Sequence, residues 1–230
     1  MAENKVELIG YYGGDIEHSL SAWTSTSREL TAEKISRVPK LLKMLADNKH
    51  YSPFEKSSLH FLVTTDISVH VQILKHRIGV SVNAESARYK ELKEDKYYLP
   101  EDWSEIYNSR DGYSNPYGNM EFMTSEGDSW ISILESYTQI GNDLYHKCLA
   151  DLEPVLGRKR AKESARYFKT YNSQITADVM FNFKSFAHFQ GLRNKPDAQL
   201  EIQNLSKEMI SLVKGIEGNP FEYSLSAFGL

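Results

Sequence analysis

The sequence predicts an α+β protein: a central, mostly antiparallel sheet flanked by several helices, in a single domain spanning residues 1–230. Three observations carry this. Segments of strand period and segments of helix period are segregated along the chain and do not alternate as βαβ units. No Rossmann or P-loop glycine pattern occurs. The 230 residues, 40 % of them apolar and 25 % charged, suit one sizeable core of ordinary globular composition.

The elements follow in order. Residues 6–12 form an apolar and aromatic run closed by Gly13-Gly14, a first or edge strand. Residues 18–27 are small and hydroxylated, a loop or helix start. Leu41, Leu42, Met44 and Leu45 lie on a helical stripe, with Pro39 expected in the first turn and an end near Asn48. Leu59, Phe61, Val63 and Thr65 alternate as a strand does. Residues 67–74 fit both periods. Residues 104–127 read as a long loop excursion, with breakers at Asp-Gly, Asn-Pro and Gly-Asn. Asp128 is placed to cap a long helix whose stripe is Trp130, Ile133, Leu134, Tyr137, Ile140, Leu144, Cys148 and Leu152, stopped by Pro154 and Gly157. A short, very basic helix follows over 159–169. Residues 176–181 are a strand, and Asn182 caps a helix to Gln190. Asp197 is placed to cap a last helix with the stripe Leu200, Leu205, Met209, Leu212, Val213 and Ile216, ended by Gly218-Asn219-Pro220.

Composition narrows the function. A net charge of −4 argues against a basic nucleic-acid coat, so the cations act locally. The single cysteine, Cys148, excludes an internal disulfide framework and a cysteine-based metal cluster, which fits a reducing cytoplasmic setting. No apolar run reaches the ~20 residues that span a bilayer, and the N-terminus carries no signal-peptide pattern.

Residues 72–92 concentrate the chemistry. Lys75, His76 and Arg77 are followed by Ser81, Asn83, Glu85 and Ser86, then Arg88-Tyr89. Arginine offers a planar fork of donors suited to phosphate or a uracil edge. Serine and asparagine bond polar ring atoms without adding charge. The mixture suits phosphorylated aromatic ligands, that is, nucleotides.

Lys75-His76-Arg77, eight residues, then Ser86-x-Arg88-Tyr89 resembles the signature of the flavin-dependent thymidylate synthases, with Lys75 standing where a first arginine is usual and the spacer in its longer form. Two further blocks fit the same family. His50-Tyr51-Ser52-Pro53-Phe54-Glu55 is similar to its upstream segment. Asn182 to His188, Leu192-Arg193 and Ala198-Gln199-Leu200-Glu201-Ile202 resemble its C-terminal block. The resemblance favours a helix over 67–74. It also implies a homotetramer with sites built from several subunits, no metal, and reductive methylation of dUMP to dTMP. The one-carbon donor would be 5,10-methylenetetrahydrofolate, and the electrons would come from NADPH through FAD.

The resemblance assigns Gln72, Glu85, Ser86, Arg88, Arg166 and Arg193 to dUMP, and Ser52, Glu55, Lys75, His76, Arg77, Asn182 and His188 to FAD. Glu85, rather than Ala84, takes the place of a glutamate displaced by the longer spacer. Arg193 is the catalytic candidate, a guanidinium aimed at the carbonyl–N3 edge of uracil, where it stabilises developing negative charge. Its bland alternative is a cation at a helix C-terminus; for Arg88 and Arg166 it is solvated surface charge, and for His76 a core histidine. Ser86 shows no legible base partner, and Cys148 lies on a helical stripe without the context of a nucleophile. The reaction is therefore expected to proceed without an enzyme nucleophile. The 14 tyrosines and 10 phenylalanines offer stacking surfaces for flavin, uracil and pterin. Two rivals are a flavin- or nucleotide-binding module of the same fold without turnover, and a nucleic-acid-binding domain using residues 158–169.

Overall fold

Four strands form the sheet: β1 (Lys5–Tyr12), β2 (Ser58–Asp66), β3 (Val80–Ala84) and β4 (Gln174–Asn182), in the order β1-β2-β4-β3. β1 pairs antiparallel with β2 and β3 antiparallel with β4. On the central pair His60 meets Asp178 and Thr64 meets Thr176, so position numbers rise along β2 as they fall along β4. The α+β expectation holds. β3, only five residues long and lying inside the cationic motif, was not expected as a strand.

The computed structural model describes residues 2–86, 88–108 and 127–230. Two compact units can be distinguished. The sheet unit comprises residues 4–64, 69–84 and 176–230; the helical unit comprises 1–3, 65–68 and 85–175.

In the sheet unit one face of the sheet is apolar. Val6, Leu59, Phe61, Val63, Ala177, Val179 and Phe181 point into a core closed by helices α1 (Asp15–Trp23), α2 (Ala32–Asp47), α3 (Ile67–Ile73), α6 (Phe183–Arg193), α7 (Leu200–Lys214) and α8 (Glu222–Ala227). The alternation of β2 creates this face, since successive side chains point to opposite sides. The other face carries His60, Thr64, Ser81, Asn83, Asp178 and Met180, all at least partly exposed.

Within the core, His18 sits among Phe54, Phe183 and Phe221. Its Nδ1 lies 2.8 Å from Ser224 Oγ and its Nε2 lies 2.7 Å from Ser57 Oγ. Asp15 accepts the Ser224 hydroxyl at 2.5 Å and the Tyr223 and Ser224 amides at 2.7 and 2.8 Å. Buried polar groups in a core this apolar need such partners.

Several expectations need correction. Pro39 stands in the interior of α2, not its first turn, because the helix begins at Ala32, capped by Thr31 through a 3.3 Å bond from the Lys34 amide. An interior proline deletes the bond to the Ile35 carbonyl and costs ~3 kcal/mol, offset here by burial of Val38, Leu42 and Leu45. Gln199, not Asp197, is the N-cap of α7. α7 ends at Lys214 with Gly215 as its C-cap, not at Gly218-Asn219-Pro220; those residues lead instead into α8, a helix that was not expected, with Leu225 and Ala227 buried behind its buried N-cap Phe221.

The helical unit holds α4 (Trp130–Leu156) and α5 (Arg158–Ala165), followed by a 3-10 turn over Arg166–Phe168. Ser129, not Asp128, is the N-cap of α4. The predicted apolar stripe is not the buried face: Trp130, Tyr137 and Leu144 are 42, 54 and 38 % exposed, whereas Thr138, Gly141, Asn142, Tyr145 and Leu149 are buried. Gly141 explains the rotation. A Cβ there would stand 2.6 Å from the Phe168 carbonyl oxygen, so this face alone permits close approach of the following turn. A small core of Tyr145, Leu149, Ala161 and Ala165 results, with Leu92, Cys148 and Leu152 against it. Beside it the Lys169 ammonium bonds Asp95 and, at 2.8 Å, Asn142, and lies 4.5 Å from the centre of the Tyr145 ring. His146 reaches Asp95 at 2.8 Å. The ends of the excursion pair through Tyr107 and Ser129; its residues 109–126 lie outside the described residues.

Candidate functional site

The sheet unit places the cationic motif at the end of α3. Gln72 is in its last turn, and Lys75, His76 and Arg77 follow directly. Gly79 then takes φ +64, a conformation that favours glycine, and turns the chain into β3. Its carbonyl accepts the Asn182 amide at 2.8 Å. A Cβ on Gly79 would collide with the side chains of Asn182 and Ser185. Asn182 caps α6 by accepting the Ser185 amide at 2.8 Å, and Ser185 Oγ donates to the Ile78 carbonyl at 2.6 Å. The motif is thus fastened to the start of α6.

The other end of α6 supplies Arg193. Its Nε donates to His76 Nε2 at 3.1 Å and an Nη1 proton goes to Gln72 Oε1 at 3.1 Å. Gln72 Nε2 donates to Gln199 Oε1 at 2.5 Å, and Gln199 Nε2 donates to Glu201 at 2.7 Å. The His76 ring packs 4.9 Å from Phe189 and 6.1 Å from His188. Burial, then the charges of Arg193 and His188, push its pKa down to about 4, so His76 is neutral at working pH and accepts the Arg193 proton. Lys75, Arg77 and His188 are exposed. Neither Lys75 nor Arg77 pairs with a carboxylate among the described residues. Ser52 and Glu55 are exposed at the two ends of a 3-10 turn anchored by buried Pro53 and Phe54.

The helical unit places the second group. Ser86 opens a turn in which its carbonyl accepts the Tyr89 and Lys90 amides at 3.0 and 2.9 Å. Glu85 pairs with Lys90 at 2.6 Å. Three residues of α5 grip the segment that follows. Glu163 accepts Arg88 Nε at 2.6 Å, Lys162 donates to the Tyr89 carbonyl at 3.0 Å, and Arg158 bonds Glu91 at 2.7 Å. Arg166 lies three residues beyond Glu163, hence on the same helical face as the group that holds Arg88; it is exposed.

These placements have chemical consequences. Exposed Lys75, Arg77 and Arg166 are available to phosphate groups, and an exposed imidazole at His188 beside neutral His76 offers ring contacts. The cations and polar groups of the sheet unit, Lys75, Arg77 and His188, therefore fit a flavin with a phosphate-bearing tail. Asn182 already commits its carbonyl oxygen to the α6 cap. Ser86 Oγ accepts the Arg88 amide at 3.3 Å, and no hydrogen bond joins it to a histidine or carboxylate among the described residues. Cys148 is only partly buried and packs against the small core. Sequence reasoning gave no role to Gln199, Glu201, Lys162 or Glu163. Polar residues at 199 and 201, on the threshold of α7 and next to the Leu192-Arg193 block, were the available signal.

The sequence profile described as "Thymidylate synthase complementing protein" matches residues 7–217. The chain is 31 % identical to the flavin-dependent thymidylate synthase of Pseudothermotoga lettingae, over 92 % of this chain and 85 % of that one. It is 26 % identical to the enzyme of the same name from Streptomyces avermitilis, over 89 % and 83 %. Among solved structures, a UMP/dUMP methylase PolB from Streptomyces cacaoi bound with 5-Br dUMP shares the fold. The TM-score is 0.75 at 23 % identity, over 99 % of this chain and 95 % of that one.

Proposed function

The chain belongs to the thymidylate synthase complementing protein family, and from that premise we propose that it is a methyltransferase converting dUMP to dTMP with FAD as cofactor. 5,10-Methylenetetrahydrofolate gives the one-carbon unit and NADPH the electrons. The relatives' name supports a flavin, and the brominated dUMP in the structural neighbour supports the nucleotide.

The single observation that carries the reading is Arg193, held at 3.1 Å by both Gln72 and neutral His76. Two of its five donors are engaged, which orients the guanidinium and leaves the rest for the carbonyl–N3 edge of uracil. A fixed donor there stabilises charge as it develops on the ring, an effect of ~3–4 kcal/mol. Bound FAD supplies hydride chemistry; Lys75, Arg77 and His188, with Ser52 and Glu55, bind and orient it. Arg88 and Arg166 take the phosphate, with Glu85 and Ser86 on the same segment. No serine or cysteine acts as nucleophile. The protein assembles as a cytoplasmic homotetramer, for which the exposed Trp130, Tyr137 and Leu144 of α4 offer apolar contact surface. Among the described residues no helix is long and apolar enough to cross a membrane.

The test is optical. NADPH added anaerobically should bleach a flavin band, with a rate or spectrum that dUMP alters, and methylenetetrahydrofolate should then yield dTMP. Bleaching without dTMP would instead establish the flavin-binding module, which Lys75 in place of arginine favours. A colourless protein that takes up no FAD would overturn the reading.

A further inference from the structure

Glu201, Gln199, Gln72, Arg193 and His76 form one chain of side-chain hydrogen bonds, with links of 2.7, 2.5, 3.1 and 3.1 Å. Its direction is set by chemistry at both ends. A carboxylate only accepts, so Gln199 must turn its NH2 to Glu201 and its carbonyl to Gln72. Guanidinium only donates, so Gln72 must turn its carbonyl to Arg193, and its NH2 meets the Gln199 carbonyl. For the same reason His76 must present an unprotonated Nε2, which leaves its proton on Nδ1. Every link agrees with its neighbours: donation runs outward from Arg193, to the imidazole on one side and through Gln72 and Gln199 to the carboxylate on the other.

We propose that Glu201 and Gln199 are positioning residues: they fix the amide orientation of Gln72 and, through it, the seat of Arg193 and the tautomer of His76. Neither needs to touch the substrate. Glu201 begins α7 in the first helical turn, so the rigid helix anchors the chain. The consequence for nucleotide binding rests on the function proposed above; the consequence for His76 does not.

The test inverts one end. Glu201→Lys puts a donor-only group at the anchor, and Gln199 must then turn its carbonyl to it. Gln72 would face two donors with one carbonyl, and Arg193 loses its acceptor. A buried or fixed donor left unpaired costs enough for about a tenfold effect. Adding Gln199→Glu restores the sense, because the carboxylate introduced there accepts from both the new ammonium and the Gln72 amide. Two readouts apply to the full-length protein. 15N NMR of the ligand-free protein should show His76 protonated at Nδ1 in the parent, mixed tautomers in Glu201→Lys, and Nδ1 again in the double variant. The dUMP Kd of the FAD-loaded protein should rise about tenfold and return to within about twofold. Thermal melts check that each variant is folded, and Glu201→Gln, whose amide donates as well as accepts and so no longer fixes Gln199, serves with the same expected direction if the lysine variant does not fold. An unchanged His76 tautomer in Glu201→Lys, or loss without rescue in a folded double variant, would overturn the proposal. A restored tautomer with no dUMP binding in any form would overturn the nucleotide reading and leave the positioning chain standing.

Discussion

In the sheet unit, Phe54, Phe183 and Phe221 are wholly buried around His18, and Phe61, Phe181, Phe186 and Phe189 extend the same core. In the helical unit the core among the described residues is small, Tyr145, Leu149, Ala161 and Ala165, and the rest is fastened by charge: Arg158 to Glu91, Arg88 to Glu163, Lys169 to Asp95. Burial of a large apolar side chain stabilises by ~1.5–3 kcal/mol regardless of salt, whereas exposed ion pairs give ~0–1 kcal/mol and are screened. The sheet unit therefore carries stability, and the helical unit holds its cations in arrangements that small changes can shift. The basic helix, which by sequence suggested nucleic acid, spends Arg158, Lys162 and Lys169 on its own chain. Oligonucleotide affinity should accordingly be weak.

The largest expected effect tests the apolar half. Phe183→Ala should cost ~3–5 kcal/mol in chemical denaturation; a cost below ~1 kcal/mol would erase the contrast. Next, Arg193→Ala should lower kcat by ~10²–10³ while leaving the melting temperature nearly unchanged, showing that the cation cluster of the sheet unit serves chemistry rather than the fold. Lys169→Met removes a side chain only 5 % exposed and leaves Asp95 with His146 alone; a loss of ~1–3 kcal/mol is expected in the same denaturation assay.

Acid separates the two regions further. Burial pushes His18 down to about 3. The unfolded chain then binds the extra proton below ~6.5, so stability falls as pH drops from there towards 3, at up to ~1.4 kcal/mol per pH unit. His76, pushed down to about 4, slopes the same way over a narrower window. Asp15, raised mainly by burial, slopes oppositely: its contribution is present below the ordinary carboxylate range and lost as pH rises through its raised value. Burial raises Asp95, but its bonds to Lys169 and His146 prevail and hold it low, so its contribution persists until pH falls below the carboxylate range. Acid titration followed by amide exchange should therefore show the sheet unit weakening first. The smallest effect is Arg158→Ala, which removes an exposed pair and should leave the denaturation midpoint nearly unchanged, the more so in high salt.

β2, β4, α6 and the length of α4 were legible because their periodicity is long and their caps are local, as with Asn182. β3 and α8 were not: five and six residues are too few for a period to show. The face of α4 was misread because its buried side is lined by Thr138, Gly141 and Asn142, which hydropathy assigns to solvent. The cationic motif was readable in one stretch, but the bonds that orient it join Gln72 to residues 121 and 127 positions away, and no local pattern encodes such a link.

The latch between Gly79 and the start of α6 has a consequence for assembly. Ser185 and Ile78 are 107 positions apart, and closing a loop of that length is entropically costly before other contacts reward it. The turn that presents Lys75, His76 and Arg77 can thus set only once the segment from Asn182 to Ser185 has come back to Ile78 and Gly79. A nascent chain that stops short of Asn182 would have no finished turn to offer, and ligand capture would report that this segment has been made and has folded back.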